Sequence, residues 1–325
     1  MRKFLVLLCC GFLLNSCSDG DIQVKNFDFG NVEAKSCGSS TSDFFIYEFS
    51  GNEALILQIP ESRFVNKETP EGTPISITID NTVKVIYRIY DGPVTNATLC
   101  SSIPPSSPTV TEEWNAEGGT IQITTRAVHS VVTSTGEDII NNFSHSIVFK
   151  NITFNRGNDE YQTTDQIVFG TYTTRNLNAP VNFVTIENIQ KCADNNLLYK
   201  LSGNQSLELN LDNDTLTTLF ANEATTAGAP RQLYISAPEQ LSFKVYGNII
   251  TTENLCSGDT GAISEVWSAE NGVENSSGLI EVETTTNGSN FIHTVRFKNV
   301  RFKNTDGLVF SFGNDYDFGQ YITTN

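Results

Sequence analysis

Apolar and polar residues alternate over short stretches along much of the chain, and a period of two marks a strand with one buried face. Leu207-Glu-Leu-Asn-Leu211 and Ile121-Gln-Ile-Thr124 keep that period without a break. Phe44 to Phe49 and Val83 to Tyr90 are rich in aromatic and β-branched residues, which suit a pleated, half-buried surface. Ser50-Gly51-Asn52 and Ser202-Gly203-Asn204 sit between such runs and predict hairpin turns, because Gly and Asn accept positive φ. In Ile147-x-Phe149-Lys-Asn-Ile152-x-Phe154 the alternation slips by one residue at Lys150-Asn151, and Val295 to Phe302 slips at the same place. A bulge or tight bend is expected at both. No segment keeps an apolar period of 3.6 over three turns. The pattern predicts an all-β chain of antiparallel sandwiches, Ig-like or jelly-roll-like, with seven or eight short strands each.

The pattern also repeats on a larger scale. Tyr47-Glu-Phe-Ser-Gly-Asn52 recurs as Tyr199-Lys-Leu-Ser-Gly-Asn204, and Leu99-Cys100 as Leu255-Cys256, with Tyr90 and Tyr246 each ten residues before the Cys. Trp114-Asn-Ala-Glu117 recurs as Trp267-Ser-Ala-Glu270. His145-Ser-Ile-Val-Phe-Lys-Asn-Ile-Thr-Phe154 recurs as His293-Thr-Val-Arg-Phe-Lys-Asn-Val-Arg-Phe302. Phe169-Gly-Thr-Tyr-Thr-Thr174 recurs as Phe318-Gly-Gln-Tyr-Ile-Thr-Thr324. Five matches in one order predict two homologous domains, 27–175 and 181–325, joined by a linker at 176–180. Cys37 and Cys100 are 63 apart and Cys192 and Cys256 are 64 apart, so the repeat predicts one disulfide in each domain.

The first residues read as an address. Arg2 and Lys3 precede an apolar run of 11 residues, Phe4 to Leu14, too short for a membrane span of about 20 and suited to a signal peptide over 1–16. Leu14-Asn15-Ser16-Cys17 resembles a bacterial lipoprotein signal, in which the Cys becomes the acylated N-terminus. The acidic Ser18-Asp19-Gly20-Asp21 after it resembles the export signal of Bacteroidota-type surface lipoproteins. The resemblance implies lipidation, such as palmitate, on Cys17, a tether over 17–26, and an outer-membrane protein facing the exterior. Two or more acyl chains anchor stably where one does not.

Composition narrows the chemistry. With 20 Lys plus Arg against 37 Asp plus Glu, the formal charge is −17, which excludes a nucleic-acid partner that needs a concentrated positive field. Neither G-x-S-x-G, H-E-x-x-H nor C-x-x-C occurs, so no catalytic nucleophile, metal or cofactor is predicted. His145 and His293 begin matched strands and read as ring hydrogen-bonders to a neighbouring strand rather than as bases. Asp212-Asn-Asp214 and Asp315-Tyr-Asp317 are acidic loops that lack the spacing of a calcium hand and read as solvated turns.

Trp114 and Trp267 are the only tryptophans. On a surface they would stack on a sugar ring while Glu117 and Glu270 accept hydroxyl bonds; inside, they are core anchors, the reading favoured for one large aromatic per domain. The sequence therefore predicts a surface-anchored, non-enzymatic module that presents two β domains to a glycan or to an envelope protein. A polysaccharide hydrolase, with carboxylates at glycosidase spacing, is the alternative.

Overall fold

A computed structural model describes residues 25–29, 33–38, 44–157, 160–186, 188–237 and 240–324. The segment expected to be a signal peptide, Cys17 and the acidic residues after it lie outside the described residues. The first half carries β1 (Lys35–Cys37), β2 (Phe45–Ser50), β3 (Glu53–Gln58), β4 (Ile75–Thr78), β5 (Lys84–Tyr90), β6 (Val110–Val132), β7 (Glu137–Gly157) and β8 (Glu160–Arg175). The second carries β9 (Gln190–Lys191), β10 (Leu197–Ser202), β11 (Gln205–Asn210), β12 (Arg231–Tyr234), β13 (Leu241–Tyr246) and β14 (Ile263–Ala269). It continues with β15 (Leu279–Asn287), β16 (Asn290–Lys298), β17 (Phe302–Asn304), β18 (Val309–Phe310) and β19 (Asp315–Thr324). Among the described residues, three short α-helices interrupt them: α1 (Asn96–Cys100), α2 (Asn213–Leu219) and α3 (Thr252–Ser257).

The fold is all-β with antiparallel ladders. One sheet runs β1-β2-β3-β5-β6-β7-β8 with β4 on β6; the others run β18-β17-β14-β13-β11-β10-β9 and β12-β15-β16-β19. Not all strands are short, as the sequence pattern implied: β6 and β7 are unbroken over 23 and 21 residues. Their length bears on how the chain divides. One compact unit takes the chain up to Glu61 together with Ser76–Gln122 and Ile147–Gly170; the other takes Ser62–Ile75, Ile123–Ser146 and Thr171–Asn325. β6, β7 and β8 thus contribute residues to both units.

In the second unit Leu207, Leu209, Phe243, Val245 and Trp267 of one sheet share a buried core with Ile280, Val282, Val295, Phe297 and Phe318 of the other, which is sandwich packing. Each side chain of this size contributes roughly 1.5–3 kcal/mol when fully buried. In the first unit Phe27 plugs an aromatic core, its ring centroid 5.0 Å from Tyr87, 5.0 Å from Phe154 and 6.1 Å from Trp114.

Matched residues occupy matched ladders. Glu48 pairs Leu55, Leu55 pairs Tyr87 and Tyr87 pairs Trp114; Lys200 pairs Leu207, Leu207 pairs Phe243 and Phe243 pairs Trp267. The two expected hairpins are two-residue turns, with Gly51 at φ 59° and Gly203 at φ 60°, backbone that a Cβ would strain. The turn Asn then reaches the third strand: Asn52 Nδ2 donates to Tyr90 O at 3.0 Å, and Asn204 Nδ2 to Tyr246 O at 2.8 Å. Where the alternation slips, Asn151 and Asn299 take left-handed backbone at φ 52° and 50°. Cys37–Cys100 and Cys192–Cys256 are bonded, with Cα atoms 5.3 and 5.4 Å apart.

Candidate functional site

The tryptophans are core anchors, as the favoured reading has them, and not the sugar platforms that were the other reading. Both are 3% exposed. Each indole packs edge-on or tilted among rings of the sheet core, Trp114 5.0 Å from Tyr87 and Trp267 5.1 Å from Phe310, so no ring face is open to a ligand. The indole N–H goes to the carboxylate two residues before it, Glu112 at 3.1 Å and Glu265 at 2.9 Å. Glu117 and Glu270 serve elsewhere: Glu117 accepts from Asn155 Nδ2 at 2.6 Å, and Glu270 lies 3.5 Å from Arg301. The informative pattern was Glu-x-Trp, present at Glu112–Trp114 and Glu265–Trp267.

The histidines are the most elaborate matched feature. Both are fully buried. His145 Nδ1 lies 2.9 Å from Thr125 Oγ1 and its Nε2 lies 2.8 Å from Thr174 Oγ1. His293 repeats this at 2.9 Å from Thr284 and 2.9 Å from Thr323. Thr174 in turn donates to Asn66 Oδ1 at 2.5 Å, and Thr323 to Asn222 Oδ1 at 2.5 Å. Those bonds fix the tautomer. Asn66 Nδ2 donates to Arg175 O at 3.0 Å, so Oδ1 is the atom facing Thr174. A threonine has one hydroxyl proton, here given to the Asn, so His145 Nε2 must donate to Thr174, and Nδ1 accepts from Thr125. The chain of bonds therefore runs one way, from the core Thr through the ring to the Asn.

Burial holds both rings neutral, lowering each to about 4, with Arg231 adding to the effect at His293. Phe64 and Tyr172 flank His145 at 5.3 and 6.4 Å, and Phe220 and Tyr321 flank His293 at 5.5 and 6.1 Å. A ring with both nitrogens engaged and no approach from solvent cannot take a substrate proton. It ties one strand to two others and to a loop. His293→Leu takes the acceptor from the Thr284 hydroxyl proton and the donor from Thr323 Oγ1, and we expect a loss of about 2 kcal/mol, read from the urea midpoint. A change below roughly 0.5 kcal/mol would mean that the ring is replaceable.

Sequence reading missed the Asn partners and the segment that carries them. Phe64-x-Asn66-x-x-Thr69-x-x-Gly72-x-Pro74 matches Phe220-x-Asn222-x-x-Thr225-x-x-Gly228-x-Pro230. Its threonines pin it to the His-bearing layer, since Thr125 N donates to Thr69 Oγ1 at 3.3 Å and Thr284 N to Thr225 Oγ1 at 3.0 Å.

The acidic segments are structural, and Asp315-Tyr-Asp317 is no turn but the start of β19, paired with β16. Asp212 caps α2, accepting from Thr215 N at 2.8 Å and Thr215 Oγ1 at 2.6 Å, and these bonds hold its carboxyl below the usual range. Asp315 is paired with Arg296 at 2.7 Å and Lys298 at 2.8 Å. Among the described residues no cluster of His, Cys, Asp and Glu is placed to hold a metal ion, and no helix is long and apolar enough to cross a membrane.

One buried pair breaks the match. Lys200, 2% exposed, donates to the carbonyls of Phe183 at 3.2 Å and Ile186 at 2.6 Å. Glu48 stands at the same ladder position in the first half, 3% exposed, with neither carboxylate oxygen hydrogen-bonded. Burial raises it to about 8. No family model matches the chain, and neither a curated protein nor a solved structure matches it, so the functional reading rests on this geometry.

Proposed function

We propose that the chain is a lipid-anchored, surface-displayed, non-enzymatic module of two copies of one β domain, and that it captures a glycan. The observation that carries the reading is the pair of buried histidines. The residues most suggestive of chemistry, and matched between halves, are spent on holding the fold in the same way twice. Trp114, Trp267 and the four cysteines follow the same rule. The residues left to serve a ligand are those that differ between the halves and face outward. The lipoprotein-like signal at Cys17 supplies the address.

Three measurements test this. Cys17→Ser should release the protein from the membrane pellet, and protease added to intact cells should degrade the native form. A mature chain begun after Cys17 should be retarded in gels that contain one polysaccharide of a panel. A protein that stays in the pellet without Cys17, or survives the protease, removes the anchored surface reading. Absence of retardation by any polysaccharide removes glycan capture in favour of an envelope-protein partner, to be sought by cross-linking on cells.

A further inference from the structure

The outer face of the β10-β11-β13-β14 sheet carries a polar cleft of about 580 Å³, within the range of roughly 300–1,000 Å³ usual for small-molecule sites. Alternation puts Leu207, Phe243 and Trp267 in the core, so Ser206, Glu208, Ser242, Lys244, Tyr246 and Ser268 face the other way. Glu208, 4% exposed, forms the floor. Its Oε1 accepts from Ser206 Oγ at 2.5 Å and Tyr246 OH at 2.7 Å, and its Oε2 accepts from Lys244 Nζ at 2.6 Å.

The first half shows that the fold does not need this floor. The hairpin match places Ala54 at the position of Ser206 and Ile56 at that of Glu208; the match at Tyr90 places Ile86 at Ser242 and Arg88 at Lys244. Ile56 there packs into an apolar cluster with Cys37 and Tyr47. Replacing a buried ion pair by apolar residues is commonly neutral or stabilising, so the polar floor is no device of stability.

We propose that this cleft is the glycan subsite and that it takes a neutral, hydroxyl-rich saccharide segment. The assignment rests on the module reading above and names the site within it. Glu208 and Lys244 cancel each other's charge. The walls add only amides and hydroxyls, from Asn195, Asn210, Thr260 and Ser268, which serve sugar hydroxyls as donors and acceptors. Val266 and Ile263, 40% and 45% exposed, give an aliphatic strip for the C–H face of a ring. The formal charge of −17 opposes an acidic polysaccharide.

The test is affinity electrophoresis of the full mature chain in neutral polysaccharides (xylan, mannan, β-glucan) and in alginate as the anionic one. Asn210→Trp fills the mouth from an exposed position, and Ser206→Ala with Glu208→Ile installs the residues of the first half. Arg88→Ala is the control in the other half. Each is checked for a native unfolding transition. We expect retardation by a neutral polysaccharide, weakened at least tenfold in both cleft variants and unchanged in Arg88→Ala. Retardation that persists in both folded cleft variants overturns the site and leaves the module standing. Retardation by alginate alone overturns the ligand class. No retardation of the native chain overturns glycan capture and the site together.

Discussion

Glu48→Gln is expected to stabilise the chain, and to do so more strongly as the pH rises from about 4.5 to 8. The carboxyl lies in the inner face of β2 with no hydrogen bond to either oxygen, and burial lifts it from 4.5 to about 8. A carboxyl raised on folding is easier to protonate in the folded state. Folding therefore loses stability as pH climbs from the unfolded value through the folded one, by about 1.4 kcal/mol per pH unit and roughly 5 kcal/mol in all. The amide keeps the shape and removes the titration. The histidines act in the opposite sense. Their folded values lie near 4, below the usual 6.5, so the stability they bring is complete above 6.5 and is lost as pH falls towards 4. The native chain should therefore be most stable near pH 6.5, and the variant should keep that stability to pH 8 and beyond. Urea unfolding of both proteins at pH 5, 6.5 and 8 measures the difference directly. Profiles that run parallel would show that Glu48 is solvated or paired in solution.

Loss of either disulfide is the other large effect. Each bridge closes a loop of 63 or 64 residues, and the chain-entropy account assigns about 4 kcal/mol to a loop of that size. In both halves the bridge ties the segment before the first hairpin strand to a short helix, α1 or α3, whose first turn is capped by Thr95 or Thr251. Cys37→Ser with Cys100→Ser, and separately Cys192→Ser with Cys256→Ser, should each lower the melting temperature by roughly 8–16 °C. Dithiothreitol should do the same to the native chain. A drop of less than about 2 °C for either pair would mean that the unfolded chain is already compact around that loop.

What was legible in the sequence followed from local chemistry. Gly51-Asn52 and Gly203-Asn204 announced their turns because few other residues take that backbone, and the slip in alternation announced a bulge or bend, which the left-handed Asn151 and Asn299 make. Repetition assigned the disulfides, which counting could not. The helices were illegible because five to seven residues give less than two turns of period, and their signal is one capping Thr or Asp. The Asn–Thr–His chain was illegible as a site because Asn66 and Thr174 lie 108 residues apart, and only the fold joins them. Trp114 and Trp267 were legible as core anchors, because one large aromatic per domain is usually buried.

Glu48 and Lys200 have one more consequence, for how such a chain finds its own pairs. Halves that share a strand pattern risk exchanging strands as they fold, a characteristic failure of repetitive proteins. β2 and β10 carry the same turn and the same pattern, so hydrophobicity alone does not tell one from the other. Their charges do. Were β2 to take the place of β10, its carboxylate would face the carbonyl oxygens of Phe183 and Ile186, which in the native fold hold an ammonium. Were β10 to take the place of β2, Lys200 would be sealed in without those acceptors. The residue that costs stability in one half thereby labels each strand with the half to which it belongs.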